Sequence, residues 1–146
     1  MYIECINYGI VNTTINYIDV ARQIAYILNT NNNLKKIHSI NTILNSNNLY
    51  LIELFNWQVL GCVGILDIGY KNKIVHLSVL NTVQKCGIGY KLLKTAINIS
   101  NKNEIYMQIR DDNVRSINLA YMNGFESTSF IEKRGYSLLN LSLTKV

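Results

Sequence analysis

Three apolar runs follow one another almost without interruption between Leu49 and Leu80: LYLIELF, VLGCVGILDIG and KIVHLSVL. The breaks between them, NWQ and YKNK, are turn-like, so the runs are expected to be consecutive strands of an antiparallel meander. A sheet in mid-chain needs helices to cover it, and helical spacing occurs on both sides. YIDVARQIAYILN places Val20, Ala21, Ile24, Ala25, Ile27 and Leu28 on one helical face, with Asp19 acidic near the start. A strand, YIECINYG, is expected before it. NTNNN, Asn29 to Asn33, reads as a loop, and a second helix is expected from about Leu34 to Leu44. After the meander come a helix from Ile88 to about Ile99, a strand EIYMQIR, a helix from about Asn113 to Met122, and strands around FESTSFIEK and GYSLLNLSLTK. The order β-α-α-β-β-β-α-β-α-β-β is that of a mixed α/β (α+β) protein.

Residues 1–146 suit one domain, with no linker, repeat or charge run to divide them. Asn, Ile and Tyr are abundant and Pro is absent, which reads as nucleotide bias and gives Asn clusters little weight. No apolar run of about 18 residues and no leader-like N-terminus occur, so a soluble cytoplasmic protein without a membrane partner is expected. Cys5, Cys62 and Cys86 lack any C-x-x-C spacing and are expected to be free thiols, with neither a disulfide framework nor a bound metal. The net charge of +5 suits an anionic ligand or a mildly basic surface. A nucleic-acid partner would call for a basic stripe with interleaved aromatics, and KNK and EKRGY are too short for one.

The meander ends in VQKCGIGYKLL, where two glycines one residue apart stand between strand and helix. A strand that turns on glycines straight into a helix leaves backbone N–H groups beyond the helix start, an anion site that suits nucleotide phosphates. A plain tight turn is the alternative. Leu92 replaces the third glycine of a dinucleotide fingerprint, and the Gly-Lys-Ser/Thr of a P-loop is missing.

VLNTVQKCGIGYKLL resembles the acetyl-CoA signature of the GNAT N-acetyltransferase superfamily, Gln/Arg-x-x-Gly-x-Gly/Ala after a strand ending in Val. Gln84, Gly87, Gly89 and Val79 match it. NVRSINLAYMNGF resembles the family's later motif through Asn113, Leu119, Gly124 and Phe125. The resemblance implies a mostly antiparallel central sheet of six or seven strands with splayed middle strands, flanked by about four helices. It implies acetyl-CoA as cofactor, its pyrophosphate held along Gln84, Lys85, Cys86, Gly87, Ile88, Gly89 and Tyr90. Pantetheine would pass Leu77 and Val79, the cofactor arm would meet Asn113 and Ser116, and the amide of Val79 or Leu80 would face the thioester carbonyl. Direct transfer to an amine would follow, with no enzyme nucleophile and Cys86 a loop filler.

Two departures concern the acid and the base. The resemblance places an acidic Tyr at the position of Ala120; here Tyr121 comes one residue later, turned by about 100° on the helix. Positions that the resemblance gives to a base hold Lys73 and Val75, while His76 lies between them and the motif Val, and strand alternation sends it to the opposite face. Tyr121, His76 and Glu53 are the catalytic candidates, and Asp67 could act through water; core packing or solvated charge is the alternative for each. The acceptor, a small-molecule amine or a protein Lys or N-terminal amine, is open, with Asp19, Glu53 and Asp67 as possible attractors of a cation. A degenerate acyl-CoA-binding sensor is the rival reading. The apolar last strand hints at pairing in a homodimer.

Overall fold

The computed structural model describes residues 1–5, 16–31 and 36–145. Their elements are β1 Tyr2–Cys5, α1 Tyr17–Asn31, α2 Ile40–Leu44, β2 Leu49–Phe55, β3 Gln58–Asp67, β4 Lys71–Val79, α3 Ile88–Ile99, β5 Glu104–Arg110, α4 Val114–Met122, β6 Glu126–Lys133 and β7 Tyr136–Thr144. They form one seven-stranded sheet in the order β1-β2-β3-β4-β5-β7-β6. β1–β2 and β4–β5 pair parallel, and the other neighbours antiparallel. The expected order of elements is the observed one. Residues 6–9 of the expected first strand and 32–35 of the expected loop and second helix lie outside the described residues.

Strand alternation divides the sheet's side chains between two cores. Leu51, Val63, Ile74 and Met107 pack with Leu92, Leu93 and Ala120 of α3 and α4. Tyr50, Ile52 and Cys62 pack on the other face with Val20, Ile24 and Leu28 of α1 and Ile43 of α2. The β2–β3 hairpin turns on Asn56 and Trp57, both left-handed at φ 47° and 66°, the backbone that a two-residue hairpin loop demands.

Two expectations change. Asn29, Thr30 and Asn31 complete the last turn of α1 rather than starting a loop. The second helix begins only at Ile40, because Ser39 is extended and its Oγ accepts the Thr42 N–H at 3.1 Å as an N-cap. Ahead of it the backbone of His38 is pinned to the Asn29 side chain, at 2.7 and 3.0 Å. β7 is paired on both sides, with β5 and β6, and the sheet's two edge strands are β1 and β6.

The feature that positions the site lies in β4. Cys62 pairs with Ser78 and Gly64 with Val75, so Val63 alone faces both His76 and Leu77. This is a β-bulge, with His76 left-handed at φ 55°. Pairing of β4 with β5 stops at Ile74 and Met107, after which β4 follows β3 and β5 follows β7. A wedge opens between two strands that are neighbours in the sheet.

Gly64 packs where the bulged strand presses closest: a Cβ there would meet Val75 Cγ2 at 2.9 Å and Tyr50 Cε1 at 3.3 Å. Gly64→Ala is expected to destabilise the protein by about 1–3 kcal/mol through overpacking. A urea midpoint equal to that of the parent would show that the bulge yields freely.

Candidate active site

The wedge opens into a cavity of about 510 Å³ between Lys73, His76 and Leu77 of β4 and Gln108 and Arg110 of β5. Past Asn31, Leu77 and Ser78 it continues into a hollow of about 350 Å³ beside Val79, Asn81 and Gln84. That hollow shares Val79, Gln84, Arg115 and Leu119 with a third, of about 210 Å³, at Gly87, Ile88, Gly89 and Tyr90. The three make a continuous groove from the start of α3 to the α1–α2 side of the sheet.

At the α3 end the backbone supplies the chemistry. The first intrahelical bond there runs from Lys91 N to Gly87 O at 3.1 Å, so the amides of Ile88, Gly89 and Tyr90 precede the helix's own bonding. Gly87 is the N-cap, left-handed at φ 82°, and a Cβ there would meet nothing within 4 Å: the space before the helix is open. Gly89 has a different role. Its Cβ would lie 3.0 Å from Leu119 Cδ1, so it lets α3 approach α4 rather than admitting a ligand. Gln84 acts through its side chain, Nε2 donating to Val79 O at 3.2 Å and Asn81 Oδ1 at 2.9 Å, while its amide turns back toward Asn81 O. Lys85, left-handed at φ 69°, lines the hollow; Cys86 is exposed and its thiol reaches only the Gln84 carbonyl, at 3.8 Å.

Mid-groove, Leu80 N donates to Leu60 O at 2.8 Å and is thereby engaged with β3. Neighbouring amides of a strand point to opposite sides, so the Val79 N–H faces the wedge, and of the two amides expected there only Val79 has that direction. Asn31 Nδ2 donates to Val79 O at 2.8 Å and to Ser78 Oγ, tying the end of α1 to the splayed strand. Asn113 caps α4, its Oδ1 accepting from Ser116 N at 3.3 Å, and with Ser116 it walls the groove opposite β4.

His76 corrects the alternation argument. The bulge adds a residue, so Val75 and His76 both face α1 and α2, and His76 Nδ1 lies 2.7 Å from Tyr50 Oη. Asn48 Nδ2 donates to the same hydroxyl at 3.1 Å, which leaves the Tyr50 O–H to donate to an unprotonated Nδ1. Burial first, then the positive charges of His38, Lys36 and Lys73, pull the His76 pKa down to about 4. His38, edge-on to His76 at 4.9 Å, and Lys73 are lowered by burial and by Lys36. Lys73 Nζ donates to Gln108 Oε1 at 3.0 Å across the mouth of the wedge.

The other catalytic candidates stand elsewhere. Tyr121 is half exposed, with its hydroxyl 2.5 Å from Ser127 Oγ of β6. The 100° step past Ala120 carries it out of the groove. Glu53 points to the α3 face and pairs with Lys91 at 3.2 Å, Asp67 pairs with Lys102 at 3.6 Å, and Asp19 with Arg22 at 3.2 Å. None of these acids lines the groove. Asn31 and Arg115 do, unforeseen: the first sits in an Asn cluster set aside as compositional, the second in a motif read for Asn113 and Gly124.

The split between parallel neighbours, the free amides at the next helix and the sequence joining them meet in one segment. That segment falls within residues 22–125, which match the sequence model of the acetyltransferase (GNAT) family. The chain belongs to the GNAT acetyltransferase family. Solved structures share the fold of this GNAT chain. Ard1 from Thermoplasma volcanium superposes with a TM-score of 0.76 at 15% identity, over 92% of this chain and 96% of that one. The yncA protein of Salmonella typhimurium, solved with its cofactor acetyl-CoA, gives 0.72 at 20%, over 92% and 94%. The ribosomal-protein-S18-alanine N-acetyltransferase of Escherichia coli gives 0.73 at 14%, over 90% and 91%. Comparison with curated proteins gave no match. Acetyl-CoA is the cofactor of the GNAT family, and the groove fits it: open space and unbonded amides at Gly87–Tyr90 suit the pyrophosphate, and the Val79 N–H suits an acyl carbonyl. Among the described residues no helix is long and apolar enough to cross a membrane, and no cluster of His, Cys, Asp and Glu could hold a metal.

The buried His76 gives this GNAT chain a pH-dependent stability. Unfolded, the ring titrates near 6.5 and folded near 4, so between these values the unfolded chain binds more protons. Stability is therefore full above about pH 6.5 and falls as the pH drops toward 4. His76→Gln, which can still accept from Tyr50, is expected to flatten that part of the curve. Urea midpoints of both proteins at neutral pH and at about pH 4.5 check this; parallel losses would mean that His76 is not the group that titrates.

Proposed function

We propose that this chain is an acetyl-CoA-dependent N-acetyltransferase that passes the acetyl group directly to a primary amine entering from the His38 and Lys73 end of the groove. The observation that carries the reading is the convergence at Val79. The helix-start amides lie on one side of it, the cavity bordered by Lys73 and Gln108 on the other, and its own N–H points between them.

Bound acetyl-CoA supplies an activated acetyl group. The amides of Ile88, Gly89 and Tyr90, with Arg115 beside them, hold its phosphates. Leu77 and Leu119 offer apolar cover to its pantetheine. Val79 N–H donates to the acyl carbonyl oxygen, where negative charge grows during attack. The amine nitrogen bonds the acyl carbon as the C–S bond breaks; sulfur keeps the electron pair, and the proton shed by nitrogen returns to it through solvent. No covalent enzyme intermediate is involved. Cys62, the thiol beside β4, is buried and pushed up to about 12, its S–H donating to His76 O at 3.3 Å. His76 stays neutral and packed against Tyr50, a positioning residue. Tyr121 has no part in proton transfer, and the positive charges of Lys36 and Lys73 favour the neutral form of an incoming amine.

Gly87→Asp tests the phosphate end. Room exists for the side chain, and Asp tolerates left-handed backbone better than most residues. Its carboxylate would face the phosphates and is expected to weaken acetyl-CoA binding, by calorimetry, about tenfold or more. Unchanged affinity in the folded variant would remove the loop from the site. Tyr121→Phe is expected to keep the parent's rate of thiol release from acetyl-CoA, and a large drop would restore the hydroxyl as an acid.

A further inference from the structure

The acceptor end of the groove carries a charge pattern that acetyl transfer alone does not require. Lys36, His38, Lys73, His76 and Arg110 border the cavity of about 510 Å³, and among the described residues no Asp or Glu borders it. They come from separate elements: the segment before α2, the bulged strand β4, and β5. Lys73 is held by Gln108, a neutral amide, at 3.0 Å. Arg110 lies 3.7 Å over the Tyr136 ring and is partly neutralised by Asp112, at 3.2 and 3.3 Å.

Residues 6–15 carry no charge, and 32–35 add only Lys35. The nearest acids considered for attracting a cation are paired elsewhere, Glu53 with Lys91 and Asp67 with Lys102. The charged forms of three of the cavity's basic groups, Lys73, His38 and His76, are each opposed by burial and by positive neighbours, and among the described residues no carboxylate is paired with them. A lysine ammonium in a partly buried cavity, held by a neutral amide with no carboxylate on the described walls, is unfavourable until an anion joins it. The cofactor's phosphates are not that anion. The hollow at Gly87–Tyr90 shares no lining residue with this cavity, and Val79 and Asn31 stand between the two ends.

We propose that the acceptor is an amine bearing its own anionic group, a carboxylate or a phosphate, which Lys73 and the neighbouring basic side chains hold while the amine faces Val79. Polyamines and other polycations are excluded. The inference rests on the acetyltransferase reading and narrows it. One field then does two things: it draws the anion and disfavours the ammonium form of the nucleophile.

The test uses matched pairs under acetyl-CoA turnover: alanine and glutamate against their α-amides, glucosamine 6-phosphate against glucosamine, and spermidine as the polycation. At least one anionic member is expected to exceed its uncharged partner about tenfold or more in kcat/KM, with spermidine inert. Whether the carboxylate or the phosphate pair discriminates identifies the group. Lys73→Met should bring that ratio toward one with acetyl-CoA affinity unchanged, and Lys73→Arg should preserve most of it. Equal or better rates with amides, glucosamine or spermidine overturn the inference and leave the acetyltransferase reading intact. If no pair turns over, calorimetry decides: binding of N-acetylglutamate but not of its diamide supports the anion site, and equal or absent binding overturns it. Failure of acetyl-CoA itself to bind strikes the acetyltransferase reading alone.

Discussion

The hydrogen bonds that β4 and β5 do not make shape this molecule more than those the sheet completes. From Val75 to Val79 one side of β4 has no strand opposite it, although both strands lie in the middle of the sheet. Peptide groups so placed need other partners, because a buried unpaired one costs about as much as a lost hydrogen bond. The chain answers for the carbonyl of Val79 twice, with Asn31 from the end of α1 and Gln84 from the loop before α3. The Val79 N–H faces the wedge, where no strand lies opposite it. The cause of the divergence is local: one residue too many opposite Val63, which bends β4 away at His76.

That extra residue also marks where the sequence stops being legible. The meander, the order of elements and the helix starting at Ile88 follow from apolar periodicity and glycine placement, because each depends on neighbours in the chain. A bulge depends on the partner strand. KIVHLSVL reads as one continuous strand, and nothing in it announces that Val75 and His76 will share a face. The late start of α2 is similar: Ser39 wins the N-cap because Asn29, ten residues earlier, has fixed His38 in an extended segment. Asn31 was hidden for another reason. In a chain rich in Asn, a single structural Asn has the same signature as its neighbours, and only its contact with Ser78 and Val79 sets it apart.

Charge is divided between the ends of the groove by different means. At α3 the attraction comes from amides and a helix dipole, which bind anions without a side-chain charge and need no counter-ion when empty. At the other end it comes from side chains, Lys73 and Arg110 among them, in a cavity that no Asp or Glu of the described residues lines. The two ends therefore differ in what they cost the free protein. The first is a by-product of fold geometry; the second depends on the bulge, which turns His76 toward His38 in a cavity whose positive charges keep its ring neutral.

Gly87 and Gly89, one residue apart, show how the groove keeps its shape. At Gly87 the backbone is left-handed and faces open space, so the absence of a side chain serves the turn. At Gly89 the backbone is helical, and the place of the missing Cβ is taken by Leu119 of α4. α4 begins at the Asn113 cap and carries Arg115 and Ser116, so that contact sets the wall opposite β4 at a fixed distance from the α3 amides. A side chain at Gly87 would act on what enters the groove, whereas one at Gly89 would move the groove's walls apart. The same letter in the sequence thus encodes a turn facing open space in one case and packing in the other, and only the second reaches across to a different helix.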